Sequence, residues 1–184
     1  MFVAVRPPEP AVEDLEAFLD VRREQAAFRW TLPEHWHLTL AFLAEVPERV
    51  LDDVEERLAH VAGRHRATEA RITGGGAFPH VGAAKVIWAG LDVADPAGLG
   101  HLATGCRAAA AKAGVAPDGQ RFRPHLTLAR TGRSVEATRW VRLLDGYRGP
   151  AWTVGEVALV ASHLGEGPQR RPRYETVATF PLHG

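Results

Sequence analysis

The chain has 184 residues, 46% of them hydrophobic and 24% charged, and its formal net charge is zero. That length builds one compact domain or two small lobes sharing a core, and the composition is that of an ordinary soluble globular protein. A protein that grips long nucleic acid nonspecifically carries a basic excess, so charge balance excludes that class; any nucleic-acid substrate is engaged locally, at an end or through one phosphate.

The opening, MFVAVRPPEP, holds an apolar stretch too short for a secretory signal. Phe2 to Val5 predicts a short strand, which Pro7, Pro8 and Pro10 punctuate. Residues 11–24 place Val12, Leu15, Phe18 and Leu19 at helical spacing. Residues 25–34 read as a connection. His35 to Leu43 (HWHLTLAFL) alternates and predicts a strand. Pro47 opens an acidic helix to about His60, with Val50, Leu51, Val54 and Leu58 as its apolar stripe. Ala67 to Ile72 predicts a strand running into Gly74-Gly75-Gly76, which reads as a flexible turn. It lacks the Lys and Ser/Thr of a nucleotide loop.

The second half repeats the rhythm. Ala84 to Leu91 predicts a strand and Pro96 to Ala113 a helix, stopped at Gly114. Cys106 lies in that helix as an inert buried thiol. It is the only cysteine, which excludes an internal disulfide and thiolate-rich metal sites and fits a reducing cytoplasm. His125 to Arg130 predicts a strand, and Ser134 caps a helix to about Asp145. Trp152 to Ser162 and Arg173 to Phe180 are the last strands, joined by the loop GEGPQRRPR. No apolar run approaches the ~18–20 residues of a membrane span. The order predicts an α+β fold of one bilobal domain spanning 1–184. Two pseudo-symmetric lobes of antiparallel sheet plus helices flank a central cleft, and the internal repeat covers approximately 1–78 and 84–184.

The pentapeptide HLTLA occurs at 37–41 and again at 125–129. Strand side chains alternate between faces. His37 and Thr39 therefore share one face, and so do His125 and Thr127. The leucines anchor the other face in the core. Two lobes around a cleft bring two imidazoles and two hydroxyls together. Such a pair serves as general base and general acid at one phosphorus, with the threonines holding the phosphoryl oxygens and no metal or other cofactor required.

These motifs carry a resemblance. Paired H-x-T-x motifs roughly 90 residues apart, with HLTLAFLAEV, FPHVGAAKVIWAG, FRPHLTLAR and the tail RYETVATFPL, are similar to the two-histidine (2H) phosphoesterases. They resemble most the bacterial and archaeal RNA 2′,3′-cyclic phosphodiesterases, or 2′-5′ RNA ligases. Ala44 stands where relatives often have Gly. The resemblance implies a cytoplasmic hydrolase opening terminal 2′,3′-cyclic phosphates to 2′-phosphates, with His37 and His125 catalytic and Thr39 and Thr127 binding phosphate. It implies RNA ends or small cyclic nucleotides as partners, no membrane, no obligate protein partner and a monomer. It also implies His125 as base and His37 as acid, an assignment that the residues alone leave open.

Around the motifs, Arg123, Arg130, Trp36 and Phe78 are candidate substrate-binding residues. Arg123 shares the His125 face if Pro124 leaves the register intact. Arg130 points away from Thr127 in a regular strand. Trp36 and Phe78 offer rings for base stacking. His35 reads as a rim histidine rather than as half of an H-x-H metal pair. Arg170, Arg171 and Arg173 read as solvated loop charge, and Ser162 and Tyr174 as structural. Other readings of the same residues are a phosphodiesterase acting on another cyclic or 2′-5′-linked nucleotide, a noncatalytic module for RNA ends, and a His-dependent metal hydrolase.

Overall fold

The computed structural model describes every residue except 27, 120, 168 and 169. Position 27 of the 25–34 connection and positions 168 and 169 of the GEGPQRRPR loop thus lie outside the described residues.

The strands are β1 (Phe2–Val5), β2 (Arg29–Trp30), β3 (Leu38–Phe42), β4 (Thr68–Phe78), β5 (Ala84–Val93), β6 (His125–Val135), β7 (Arg148–Val154), β8 (Glu156–His163) and β9 (Arg173–Pro181). The helices are α1 (Glu9–Arg23), α2 (Leu51–Ala62), α3 (Pro96–Lys112) and α4 (Thr138–Asp145). The strands form one antiparallel sheet in the order β7-β4-β5-β6-β3-β1-β8-β9, with β2 added beside β6. The two lobes are the two halves of this sheet, and β6 and β3 meet at its middle through the pair Leu38↔Leu126.

Each half has its own core. Val3, Val5, Leu38 and Leu40 bury against Val54 and Leu58 of α2 and Leu102 and Cys106 of α3. Ile72, Ile87, Leu126 and Leu128 bury against Leu15 and Leu19 of α1 and Leu144 of α4. The helices therefore cover the leucine face of the central strands, and the His/Thr face is left free. Chain order and space differ here. Helix α1 covers the β4–β7 half, although it precedes β3, and β8 and β9 return beside β1.

Three expectations are corrected. Gly74 to Gly76 are not a turn but the middle of β4, which runs on to Phe78. Their missing side chains make room: a Cβ on Gly75 falls 2.6 Å from Leu144 of α4, and one on Gly76 falls inside the Trp88 ring. Ser134 caps nothing. β6 continues through it, because Val135 pairs with Ala84, and α4 starts at Thr138, whose N–H donates to the Glu136 carboxylate (2.9 Å). The segment 152–162 is two strands that break at Gly155, since β7 pairs with β4 while β8 pairs with β1 and β9. The two-residue β2 gave no periodic signal in the sequence.

Candidate active site

The two HLTLA segments fold alike. In each, the first two leucines point into a core and the intervening threonine is half-buried on the opposite face. The alternation then breaks at the same point in both copies. Ala41 follows Leu40 into the core, and Ala129 follows Leu128. The ladders show why. Ala4 pairs with Thr39 but Val3 pairs with Ala41; Trp88 pairs with Thr127 but Ile87 pairs with Ala129. Each copy thus carries a β-bulge of one extra residue. The bulge turns the sixth residue, Phe42 or Arg130, back to the face of the histidine and threonine. Regular alternation sends Arg130 away from Thr127, and the bulge reverses that: Arg130 is exposed and lines the cleft.

The central register sets the motifs against each other. Leu38 pairs with Leu126 antiparallel. Continued by one residue to either side, that register sets His37 opposite Thr127 and Thr39 opposite His125. Residues directly opposite share a sheet face, and diagonal neighbours lie about 7–8 Å apart. By this register the two histidines are such diagonal neighbours, close enough that a charge on His125 opposes one on His37. All four side chains line a single cleft of about 450 Å³.

Both imidazoles are oriented identically. Nδ1 of His37 lies 2.7 Å from the carbonyl of His35, and Nδ1 of His125 lies 2.7 Å from the carbonyl of Arg123. A carbonyl only accepts, so each Nδ1 carries hydrogen and donates, which fixes the tautomer. In the neutral rings Nε2 then holds the lone pair. Aromatic walls keep the rings in place. Phe2 stacks on His37 at 4.5 Å, and Tyr174 meets its edge at 5.6 Å. Phe78 meets His125 edge-on at 5.0 Å, and Trp88 lies behind it at 6.0 Å. Gly76 leaves room for that Trp88 ring, so the glycine run serves the site indirectly.

Burial acts unequally on the two rings. It lowers the pKa of His37 from 6.5 to about 4, with the neighbouring His35, Arg6 and His125 adding repulsion against a second positive charge. His125 is also lowered by burial, with Arg130 contributing. Its ring borders a further recess of about 620 Å³, lined by Phe78, Val86, Arg121, Arg123 and Arg130. Zero net charge therefore conceals segregation. The cleft is lined by Arg107, Arg121, Arg123 and Arg130, against Asp118, whose carbonyl accepts from Arg107 and whose carboxylate lies 4.0 Å from the same guanidinium.

Of the other candidates, Arg123 and Arg130 reach the cleft. Phe78 lies beside His125, and Arg123 sits over its ring at 6.0 Å. Trp36 is corrected: it is 2% exposed and packs in the α1/α4 core, so its face is closed to a base. His35 is a rim residue against Tyr174 (4.5 Å). Among the described residues, no group of three or more His, Cys, Asp or Glu gathers as metal ligands. Ser162 and Tyr174, read as structural, pair across β8/β9 and line the cleft. Arg173 is held by Glu166 (2.8 Å) and Glu175 (3.1 Å). Phe42 was missed. It is 45% exposed at the cleft, and its signal was the sixth position it shares with Arg130.

A curled antiparallel sheet with four helices, presenting one H-x-T motif from each of two central strands, is the architecture of a two-histidine phosphoesterase. A family model described as the 2′-5′ RNA ligase superfamily matches residues 6–166, and the chain belongs to that superfamily. It is 35% identical to the RNA 2′,3′-cyclic phosphodiesterase of Thermus thermophilus, over all of this chain and 90% of that one. It is 30% identical to the RNA 2′,3′-cyclic phosphodiesterase of Geobacillus stearothermophilus, over all of this chain but only 57% of that protein's length. A crystal structure of a Thermus thermophilus protein superposes with a TM-score of 0.79 at 32% identity, covering 100% of this chain and 97% of that one.

Proposed function

We propose that this chain hydrolyses RNA-terminal 2′,3′-cyclic phosphates to 2′-phosphates, using His37 and His125 as a proton-transferring pair without a metal. The observation that carries the reading is two imidazoles, each with Nδ1 tied to a backbone carbonyl and Nε2 left free to transfer a proton, lining one cleft. His125 borders the wider recess, where water has access, and takes a proton from the attacking water as its oxygen bonds to phosphorus. The P–O3′ bond breaks on the far side, and Nε2–H of His37 gives its proton to O3′. The burial that disfavours the His37 cation makes it a ready donor once the substrate anion has loaded it. Thr39 and Thr127 donate to the nonbridging oxygens, and Arg123 neutralises the charge that builds there. The cycle consumes one water and closes when the proton on His125 returns to His37 through solvent.

With the 5′-hydroxyl of a second RNA end in place of water, the same two transfers open the cyclic phosphate to a 2′-5′ linkage, which accommodates ligation as a side reaction. Both motifs come from one chain, which supports a monomer, and we place it in the cytoplasm; its two lobes interleave segments from both parts of the chain instead of dividing at 1–78 and 84–184. The test is to incubate the purified, chelator-treated protein with an oligoribonucleotide ending in a 2′,3′-cyclic phosphate. A 2′-phosphate terminus, assigned by phosphorus NMR, is the expected product. A 3′-phosphate product, or activity only after metal is restored, overturns the reading. Binding without turnover returns the chain to the class of RNA-end binding modules.

A further inference from the structure

Strand β2 places an arginine where none is needed for chemistry at the terminal phosphate. Arg29 pairs directly with Arg130 across β2/β6, so the two side chains leave the same face of the sheet. Thr31, two residues beyond Arg29, shares that face and lines the cleft. Arg29 therefore lies on the cleft side of the sheet, though it does not itself line the cleft. Both arginines are exposed. Among the described residues, neither guanidinium has a carboxylate within ion-pair distance. Like charges placed directly opposite one another on a sheet repel. An anion between them removes the repulsion and accepts hydrogen bonds from both planar forks.

We propose that Arg29 and Arg130 form a second phosphate subsite, which holds the phosphodiester on the 5′ side of the terminal nucleoside. The inference rests on the function proposed above and extends it. The preferred substrate is the end of an RNA strand rather than a cyclic mononucleotide, and the strand leaves the cleft over β2. Because the contact is to phosphate, it is indifferent to base sequence.

The experiment compares two substrates on the parent protein and on Arg29→Gln and Arg29→Glu. One substrate is a short oligouridylate ending in a 2′,3′-cyclic phosphate. The other is cytidine 2′,3′-cyclic monophosphate, which has no 5′ phosphate. Arg29→Gln is expected to lower kcat/KM on the oligonucleotide about fivefold, the scale of one exposed ion pair. Arg29→Glu lowers it further, and the mononucleotide is unaffected by Arg29→Gln, which also reports an intact fold. Equal losses on both substrates, or no loss on either, overturn the subsite. Binding is measured independently by fluorescence anisotropy with an oligouridylate carrying a 2′-phosphate end. Arg29→Gln reduces the slope of log Kd against log salt by about 0.7, one phosphate contact to a single strand; an unchanged slope and affinity contradict the proposal. If the parent binds this oligonucleotide with that salt response but hydrolyses neither substrate, the catalytic reading fails and the subsite stands.

Discussion

The burial of His37 has a consequence for folding as well as for chemistry. Its pKa is about 4 in the folded chain against 6.5 for the free side chain. Below pH 6.5 the unfolded chain takes up a proton that the folded chain refuses. The stability contributed by neutral His37 is thus complete above pH 6.5 and drains away as pH falls towards about 4. Between pH 7.5 and pH 4.5 the loss is at most about 2.5 kcal/mol, obtained by integrating the two titrations. Glutamine fills similar space and does not titrate. Urea unfolding of the parent and of His37→Gln at both pH values isolates the contribution. The parent is expected to lose about 1–2.5 kcal/mol more than the variant, a range set by linkage and partial exposure. Inorganic phosphate, which favours the imidazolium, should recover part of the parent's loss at pH 4.5 and none of the variant's. Equal losses in parent and variant would refute the claim that His37 is held neutral by its surroundings.

The remaining predictions concern neighbouring side chains. Thr39→Val and Thr127→Val keep shape and β propensity while deleting the proposed donor to the phosphoryl oxygens; each should lower kcat about 10- to 100-fold with little change in Tm. Gly76→Ala drives a methyl group into the Trp88 ring and should cost about 1–3 kcal/mol in denaturant unfolding. It should also reduce kcat, because Trp88 backs His125. Phe42→Ala removes an exposed ring at the cleft and should raise KM for oligonucleotides about tenfold at unchanged kcat, the scale of one lost base stack. An unchanged KM would return Phe42 to the role of surface filler.

The candidate pair was legible because period-two alternation and a repeated pentapeptide are local signals. HLTLA fixes which side chains share a face before any tertiary contact is known. Arg130 was misdirected by the same rule, since a bulge depends on the partner strand: the extra residue at Leu128 exists only against β5. Gly74 to Gly76 looked like a turn because three glycines favour one locally. What decides their conformation is the bulk of Trp88 and Leu144 arriving from elsewhere in the chain. Trp36 read as a stacking ring because it adjoins His37, yet its alternation places it in the core with Leu38. Arg29 sits on a two-residue strand with no periodicity to detect, and only pairing with β6 reveals it.

The proposed catalysis depends most on the two imidazoles acting together on one phosphoryl group. Steady-state hydrolysis of the cyclic-phosphate oligonucleotide by His37→Gln, His125→Gln and the double variant tests this directly. Each single change should cost about 10²- to 10⁴-fold in kcat, and the double variant should be little worse than the poorer single one, since partners in one transfer act as a unit. Either single variant retaining more than about a tenth of the parent's rate, with its fold intact, would contradict the account.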